Sequence, residues 1–556
     1  MRRRLASIVV ALSALITTSA RASNVTEVPD NGSEQLARGG AWVARASDPL
    51  ATTFNPAGLA GQPSSVTIQN SLYFHHTCFT RLRSAFDTSQ DPMVDATGHF
   101  PRVCNDIAPT FNLQIGGTIR ISDRLGLGLL IIGPASVGEK DFPEFVNDAS
   151  GNAQAPPNRY LLIKQAGIVL FPSVGVGYEV FDNFRLGASF SWGFAKLRLA
   201  SAAQSLNTDG TNSSNDVRAN IQIADYFIPG FTLGALFSAT PEIDLAGWYK
   251  WSDAIRATGD LGTATNYYTK QNAAGDDSKV RYGDTIFEDC GTGVANDQQK
   301  KPCGSGNNAS VKATIPMEAK IGVRYHKPRM RTIEGPPDAD GNPTQVTERV
   351  ARPHTRDPMH DDVYDIELDV TWANDSAADT LEVRFPGDQN GKGLLPVAGV
   401  PGGEIPPIGD QRRGFHDVWG FRLGGDYVVL PDKLALRGGA FFETQAATSQ
   451  YQAPDFDAAM RFGIAAGGTY RIAVGQKSAV EVMLGLSHVF YGTLEREDPK
   501  ADGIQGLAGT SCNKSDPVSP TRCSDGNERY RTKWPVNLGT ITNATNVINV
   551  GLAYRF

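Results

Sequence analysis

The sequence predicts an all-β transmembrane barrel of 14 antiparallel strands whose lumen is plugged by an N-terminal hatch. Three observations predict it: a strictly alternating C-terminal strand, a series of similar segments upstream, and connections that are short and long by turns. The last ten residues place Ile548, Val550, Leu552, Tyr554 and Phe556 on one face and Asn549, Gly551, Ala553 and Arg555 on the other. Strand side chains have a period of two, so one face is apolar and the other small or polar. A strand that closes a cylinder between lipid outside and water inside needs that division.

The N-terminus reads as an export signal. Arg2, Arg3 and Arg4 precede an apolar run from Leu5 to Ile16, and Ala20-Arg21-Ala22 supplies a small-x-small cleavage pattern. Residues 1–22 are therefore expected to be a cleaved signal peptide, with Ser23 first in the mature chain. A helical anchor needs about 18 or more apolar residues, so any membrane span is expected to be made of strands.

Residues 23–62 do not alternate. Leu36, Gly40 and Val43 recur at helical intervals, which predicts one or two short helices in a small, partly apolar segment. Such a segment needs a surface to pack on, and the lumen of the barrel, residues 63–556, offers one.

Fourteen alternating segments follow, at about 66–76, 107–121, 124–134, 159–180, 184–200, 229–239, 242–252, 311–326, 363–375, 415–429, 433–444, 459–472, 476–492 and 545–556. In Phe184–Phe194, Phe184, Leu186, Ala188, Phe190, Trp192 and Phe194 alternate with Arg185, Gly187, Ser189, Ser191 and Gly193. In Val311–Tyr325, Val311 through Tyr325 at odd positions share one face, and Lys312, Glu318, Lys320 and Arg324 the other. Asp365, Glu367 and Asp369 point inward on the next segment, where pairing with Lys320 and Arg324 predicts a salt-bridge ladder rather than a selectivity filter. Val480–Phe490 alternates with a break at His488.

Most even-to-odd joints are tight, as at Ser122-Asp123, Thr240-Pro241 and Pro431-Asp432, whereas the odd-to-even joints are long. Short periplasmic turns against long external loops are expected of an outer-membrane barrel. Residues 327–362 break the rule, which predicts either an insertion there or a miscounted strand nearby. Six cysteines form three local couples in the long joints: Cys78 with Cys104, Cys290 with Cys303, and Cys512 with Cys523. In an exported chain they read as loop-closing disulfides, although sequence leaves the connectivity open, and the Cys-x-x-Cys spacing of a metal site is absent.

The composition agrees. A hydrophobic share of 40%, a mean hydropathy of −0.26 and 58 glycines suit many short strands with one wet face. The net charge of −7 and the lack of a basic tract exclude nucleic acid as a partner.

Gly39-Gly40-Ala41-Trp42-Val43-Ala44-Arg45-Ala46-Ser47-Asp48 followed by Asn55-Pro56-Ala57-Gly58-Leu59-Ala60 resembles the N-terminal hatch of the FadL-type outer-membrane transporters (the FadL/TodX family). Leu125–Pro134, Phe181–Gly187, Phe421–Tyr427, Asp432–Gly439, Ala453-Pro454-Asp455 and Tyr554-Arg555-Phe556 are also similar to stretches of that family. The resemblance implies transport of long-chain fatty acids or related hydrophobic small molecules across the outer membrane of a Gram-negative bacterium. It further implies a hatch that shifts on ligand binding and a sideways exit into the outer-membrane lipid. Gly39, Gly40, Asn55, Pro56, Ala57 and Gly58 are the hatch candidates. A lateral opening needs missing ladder hydrogen bonds, and proline cannot donate one, so Gly133, Pro134 and Pro172 mark a gate between the third and fourth strands.

Two other classes compete. A structural or adhesive barrel would bind a surface partner through its bridged loops but has no need of a plug. A barrel enzyme would need a catalytic group, and neither Ser487-His488 nor His416-Asp417 comes with a Gly-x-Ser-x-Gly elbow. Asp338-Ala339-Asp340-Gly341 resembles part of a calcium loop without its closing glutamate. No enzyme activity, metal or cofactor is expected.

Overall fold

A computed structural model describes residues 31–556 apart from 134–139, 205–212, 269–308, 336–343, 351–353, 385–394, 397–403, 406–410, 502–534 and a few shorter positions. Residues 1–22, expected to be a signal peptide, and Pro134, Cys290, Cys303, Cys512 and Cys523 lie outside the described residues.

Fourteen antiparallel strands close on themselves. They are β1 Ser65–Arg81, β2 Thr110–Arg120, β3 Leu125–Ile132, β4 Lys164–Phe181, β5 Phe184–Gln204, β6 Asp216–Thr240 and β7 Ile243–Ser252, then β8 Glu318–Pro328, β9 Asp362–Ala373, β10 Val418–Leu430, β11 Leu434–Glu443, β12 Arg461–Ala473, β13 Ala479–Tyr491 and β14 Gly539–Arg555. Closure is complete along the seam, where β1 pairs with β14 from Ser65 opposite Arg555 to Arg81 opposite Gly539. The seam therefore leaves neither β1 nor β14 as a free edge.

Alternation sets the two faces of the wall. On β10, Trp419, Phe421, Leu423 and Tyr427 are exposed on the outer surface, while Arg422 and Asp426 are buried inside. β14 behaves as its sequence predicts, with Val550, Leu552, Tyr554 and Phe556 outward and Asn549 inward.

Several strands outgrow the predicted segments. β1 runs to Arg81, so Cys78 sits in a strand, bridged to Cys104 on the facing two-residue strand Val103–Cys104. β6 starts at Asp216 and, at about 3.3 Å per residue, its 25 residues reach roughly 80 Å. That far exceeds an apolar band of about 25 Å, so the upper part of the strand stands clear of the membrane. Short strands Ile255–Thr265, Ala309–Ala313, Thr380–Arg384 and Gln411–Arg412 continue this raised wall.

The predicted segment 311–326 is broken in two. Pro316 cannot donate to a ladder, the strand stops between Ala313 and Glu318, and the side-chain phase flips across the break. Val311 is consequently buried, and Lys312 leaves the face of Lys320 and Arg324 to pair outside with Glu382 at 2.5 Å. Residues 327–362 are an insertion, with a hairpin of Met330–Gly335 against Thr344–Arg349 and a helical turn at Pro358–Asp361. The other described connections at that end are tight turns.

At the long-loop end, Phe79, Val103, Tyr160, Leu161, Ile163, Val536 and Ile541 pack into one apolar cluster above the bore. Arg159 lies within it, fully buried and neutralised by Asp216 at 2.6 Å, while the Tyr160 hydroxyl donates to the same carboxylate.

Leu423→Arg tests the outward face. A cation at mid-strand on the lipid side is expected to cost about 2 to 4 kcal/mol, read as a lowered urea midpoint for the protein folded into lipid vesicles. An unchanged midpoint would remove Leu423 from the lipid-facing surface.

Candidate functional site

Residues 31–62 are buried throughout and pack against strands on all sides of the bore. The segment contains α1 Ser33–Ala37, α2 Ala51–Phe54 and a 3-10 turn Pro56–Gly61. Gly39 and Gly40, at φ 59° and 81°, end α1 with backbone conformations that L side chains rarely adopt. Their N–H groups donate to Leu36 and Gln35 carbonyls at 3.0 and 2.9 Å. Asn55 links the parts of the segment: its Oδ1 accepts from the Ala57 N–H at 3.3 Å, and its Nδ2 donates to the Val43 carbonyl at 2.8 Å. The same amide reaches the wall at the Ala235 carbonyl, 3.3 Å away.

One side of this plug is held by charge. The fully buried Arg38 guanidinium contacts Asp365 and Asp426 at 2.6 Å each and Glu367 at 3.1 Å. Arg45 pairs with Glu34, Asp365 and Asp426. Backbone donors add to these contacts: Trp42 and Val43 N–H groups reach one oxygen of Asp369 at 2.9 and 3.2 Å, and Ala44 reaches Glu367 at 2.6 Å. Lys320 donates to the Gly40 carbonyl at 3.2 Å. The inward Asp365, Glu367 and Asp369 therefore serve the plug first. Arg324 completes the wall ladder through Asp244, Asp362 and Asp365 at 3.2, 2.6 and 2.8 Å.

The other side is held by close approach. A Cβ placed on Gly187 or Gly177 would meet the Pro56 backbone, one on Gly234 the Asn55 amide, and one on Gly126 the Leu59 carbonyl. Glycine within a strand weakens it unless another backbone has to come near. These positions on β3 to β6 form a trough that admits the 3-10 turn, and Pro56 sits in it.

The wall is irregular beside this trough. β3 is short, and its ladder with β4 runs from Leu125 opposite Tyr178 to Ile132 opposite Phe171, where it stops. Pro172 lies opposite Ile131, and pairing of β4 with β5 skips Phe171 and Pro172. The register of β5 against β6 then shifts between Asp225 and Ile228. Just inside is a small cavity with an open mouth. Phe54, Ile132, Gly133 and Phe171 supply its apolar walls; Asn31, Thr53, Ser173, Ser189, Ser191, Thr232, Lys250 and Ser252 supply polar groups.

The structure brings Asn55, Pro56, Ala57 and Gly58 together at the trough, and Gly133 and Pro172 beside the end of the β3 ladder. Gly39 and Gly40 lie across the bore, toward β11 and β8. Sequence reading missed the strand glycines and Arg38. Glycines two apart on one face, as at 126/128 and 175/177, were the available signal for the former. For Arg38 there was none, because its three carboxylates lie more than 300 residues away.

Arg38→Ala would leave Glu367 buried without its cation and take one of several cations from Asp365 and Asp426. Breaking a buried pair costs about 3 to 5 kcal/mol, so amide exchange in α1 and the residues up to Arg45 is expected to accelerate by about 10²-fold or more. Gly187→Leu is expected to loosen the 3-10 turn by steric displacement while amides near Arg38 stay protected. Equal loss across the whole plug in the glycine variant would refute a division into two anchored sides.

No protein-family profile and no curated protein matches the sequence. Solved structures do match. A FadL homologue from Pseudomonas aeruginosa aligns with a TM-score of 0.62 at 16% identity, over 96% of this chain and 99% of that one. The toluene transporter TodX of Pseudomonas putida gives 0.52 at 11% identity, and the toluene transporter TbuX of Ralstonia pickettii gives 0.50 at 12%, each over 96% of this chain and 99% of the other. The chain has the fold of the FadL-type outer-membrane channels.

Proposed function

We propose that this protein carries long-chain fatty acids or related hydrophobic compounds across the outer membrane of a Gram-negative bacterium. In this reading residues 23–62 are a hatch, ligand binding shifts it, and cargo leaves sideways between β3 and β4. The cavity at the end of the β3 ladder carries the proposal, because it touches the plug on one side and the wall irregularity on the other. Burying an acyl chain yields about 0.8 kcal/mol per CH₂, so a sixteen-carbon tail gains on the order of 10 kcal/mol before costs. Capture therefore needs an apolar surface and no energy-coupling chemistry.

The polar lining favours a cargo with an oxygenated head over a bare hydrocarbon. Thr53 is buried and its hydroxyl has no hydrogen-bond partner among the described residues, although it lines the cavity. The Lys250 ammonium sits 5.8 Å from the Phe54 ring centre and 3.7 Å from Glu318. An amphiphile would place its tail against Phe171 and Ile132 and its head among these donors. The named cargo of the structural relatives TodX and TbuX, toluene, is the competing class.

A catalytic reading has less support. Ser487 faces the lumen while its neighbour His488 lies on the outward side, bonded to Asn546 at 2.7 Å. Alternation along the strand keeps the two side chains on opposite faces.

Asn55→Ala removes three hydrogen bonds at the junction of the plug and is expected to cut uptake of a radiolabelled long-chain fatty acid several-fold, with insertion unchanged. Pro172→Val would restore a donor at the proposed exit and is expected to reduce uptake as well. Normal uptake by correctly inserted Pro172→Val protein would move the exit elsewhere. Mass spectrometry of apolar molecules that co-purify with the wild type decides between fatty acid and aromatic cargo.

A further inference from the structure

Residues 354–361, the end of the long insertion between β8 and β9, cross the short-turn mouth of the barrel. His354 bonds Glu179 of β4, and its carbonyl accepts from Arg120 of β2 at 3.0 Å. Two residues on, Arg356 pairs with Asp244 of β7, and its N–H donates to the Gly61 carbonyl, the last residue of the plug's 3-10 turn, at 2.8 Å. Asp357 then makes a two-point pair with Arg471 of β12, both contacts at 2.8 Å. Met359 packs on Val428 and Ala435, and its carbonyl accepts from Asp432 in the β10–β11 turn at 3.2 Å. In a ring of fourteen strands, β4 and β12 lie nearly opposite, so the segment spans the bore as a strap.

The strap encloses a second space. A charged cavity lies between it and the plug, lined by Glu34, Arg45 and Asp48 from above and by Asp357, Pro358 and Met359 from below. Arg471 and neighbouring cations hold the Asp357 carboxyl well below the usual carboxylate range despite its burial, so this pair stays ionised at neutral pH. A surface loop with no closing role has no need to reach six strands and the plug from one short stretch. Loops usually run over the surface because buried backbone must find partners, and this one finds them across the mouth.

We propose that residues 354–361 are a second seal, on the periplasmic side, that keeps the lumen closed to ions and water independently of the hatch. A displaced hatch would then open the way to the wall and not to the periplasm. The claim concerns ions and water, and it stands whatever the cargo is.

The test is conductance of the purified full-length protein in planar bilayers. Replacing His354-Thr355-Arg356-Asp357 by Gly-Ser-Gly-Ser, and separately R356A with D357A, is expected to raise ion conductance at least tenfold over the wild type. Cellular uptake of the labelled fatty acid is expected to stay within twofold, which separates failure of the seal from failure of the transport reading. Folded variants of both kinds, shown by heat-modifiable mobility in gels, that conduct no more than the wild type would overturn the seal. Should neither variant fold, amide exchange in the wild type decides. Protection of Arg356 and Asp361 supports the strap, and exchange at the rate of free peptide overturns it.

Discussion

The structure turns on a buried guanidinium. Arg38 lies in the bore with three carboxylates from β9 and β10 around it, and no other residue ties the plug to the wall with as many ion pairs among those described. Such a cluster adds little net stability, because each charge gives up its hydration to reach it. Its consequence is positional. Any shift of α1 along the barrel axis would leave Glu367 buried and unpaired, while Asp365 and Asp426 keep only the wall arginines Arg324 and Arg437, so register errors of the plug are more costly than its correct seating is favourable. The inward acids on β9 also receive the plug backbone: Asp369 accepts from Trp42 and Val43, and Glu367 from Ala44.

The barrel was legible from its own periodicity. Lipid outside and polar matter inside force alternation on every strand, and a sequence records that directly, as the 14 strands found where alternation predicted them attest. Boundaries failed where the strands leave the membrane. β6 continues far above the lipid, and there Ile223 turns inward to a loop core, so the apolar face no longer marks the outside. The phase flip at Pro316 had a visible cause, a proline in the middle of an apparent run, but a count of alternating letters passes over it. The long insertion was visible as an anomaly of length, while its path across the mouth depends on ion pairs to Glu179, Asp244 and Arg471 that no local pattern encodes.

The site was legible in part for a similar reason. Asn55-Pro56 stands out as a motif, and its side chain proves to be the junction of the plug with β6. What receives it, the glycines of β3 to β6, looked like ordinary turn-rich composition. Glycine carries no label for why it is present. Only the backbone lying against Gly187 and Gly234 distinguishes close approach from chain flexibility.

The two modes of attachment bear on which part of the plug is free to respond to a ligand. Moving α1 would break the Arg38 and Arg45 clusters, at about 3 to 5 kcal/mol for each buried pair disrupted. Moving the 3-10 turn out of its glycine trough forfeits dispersion contacts of about 0.1 to 0.2 kcal/mol per atom pair and a few hydrogen bonds, with no charge stranded. A bound tail worth on the order of 10 kcal/mol before costs is ample for the second and hard pressed for several of the first. The cavity beside the β3 ladder borders the second: Thr53 and Phe54 line it, and Asn55 and Pro56 follow at once in the chain. On the proposed function, a response to ligand would fall on α2 and the 3-10 turn, with α1 as the fixed pivot.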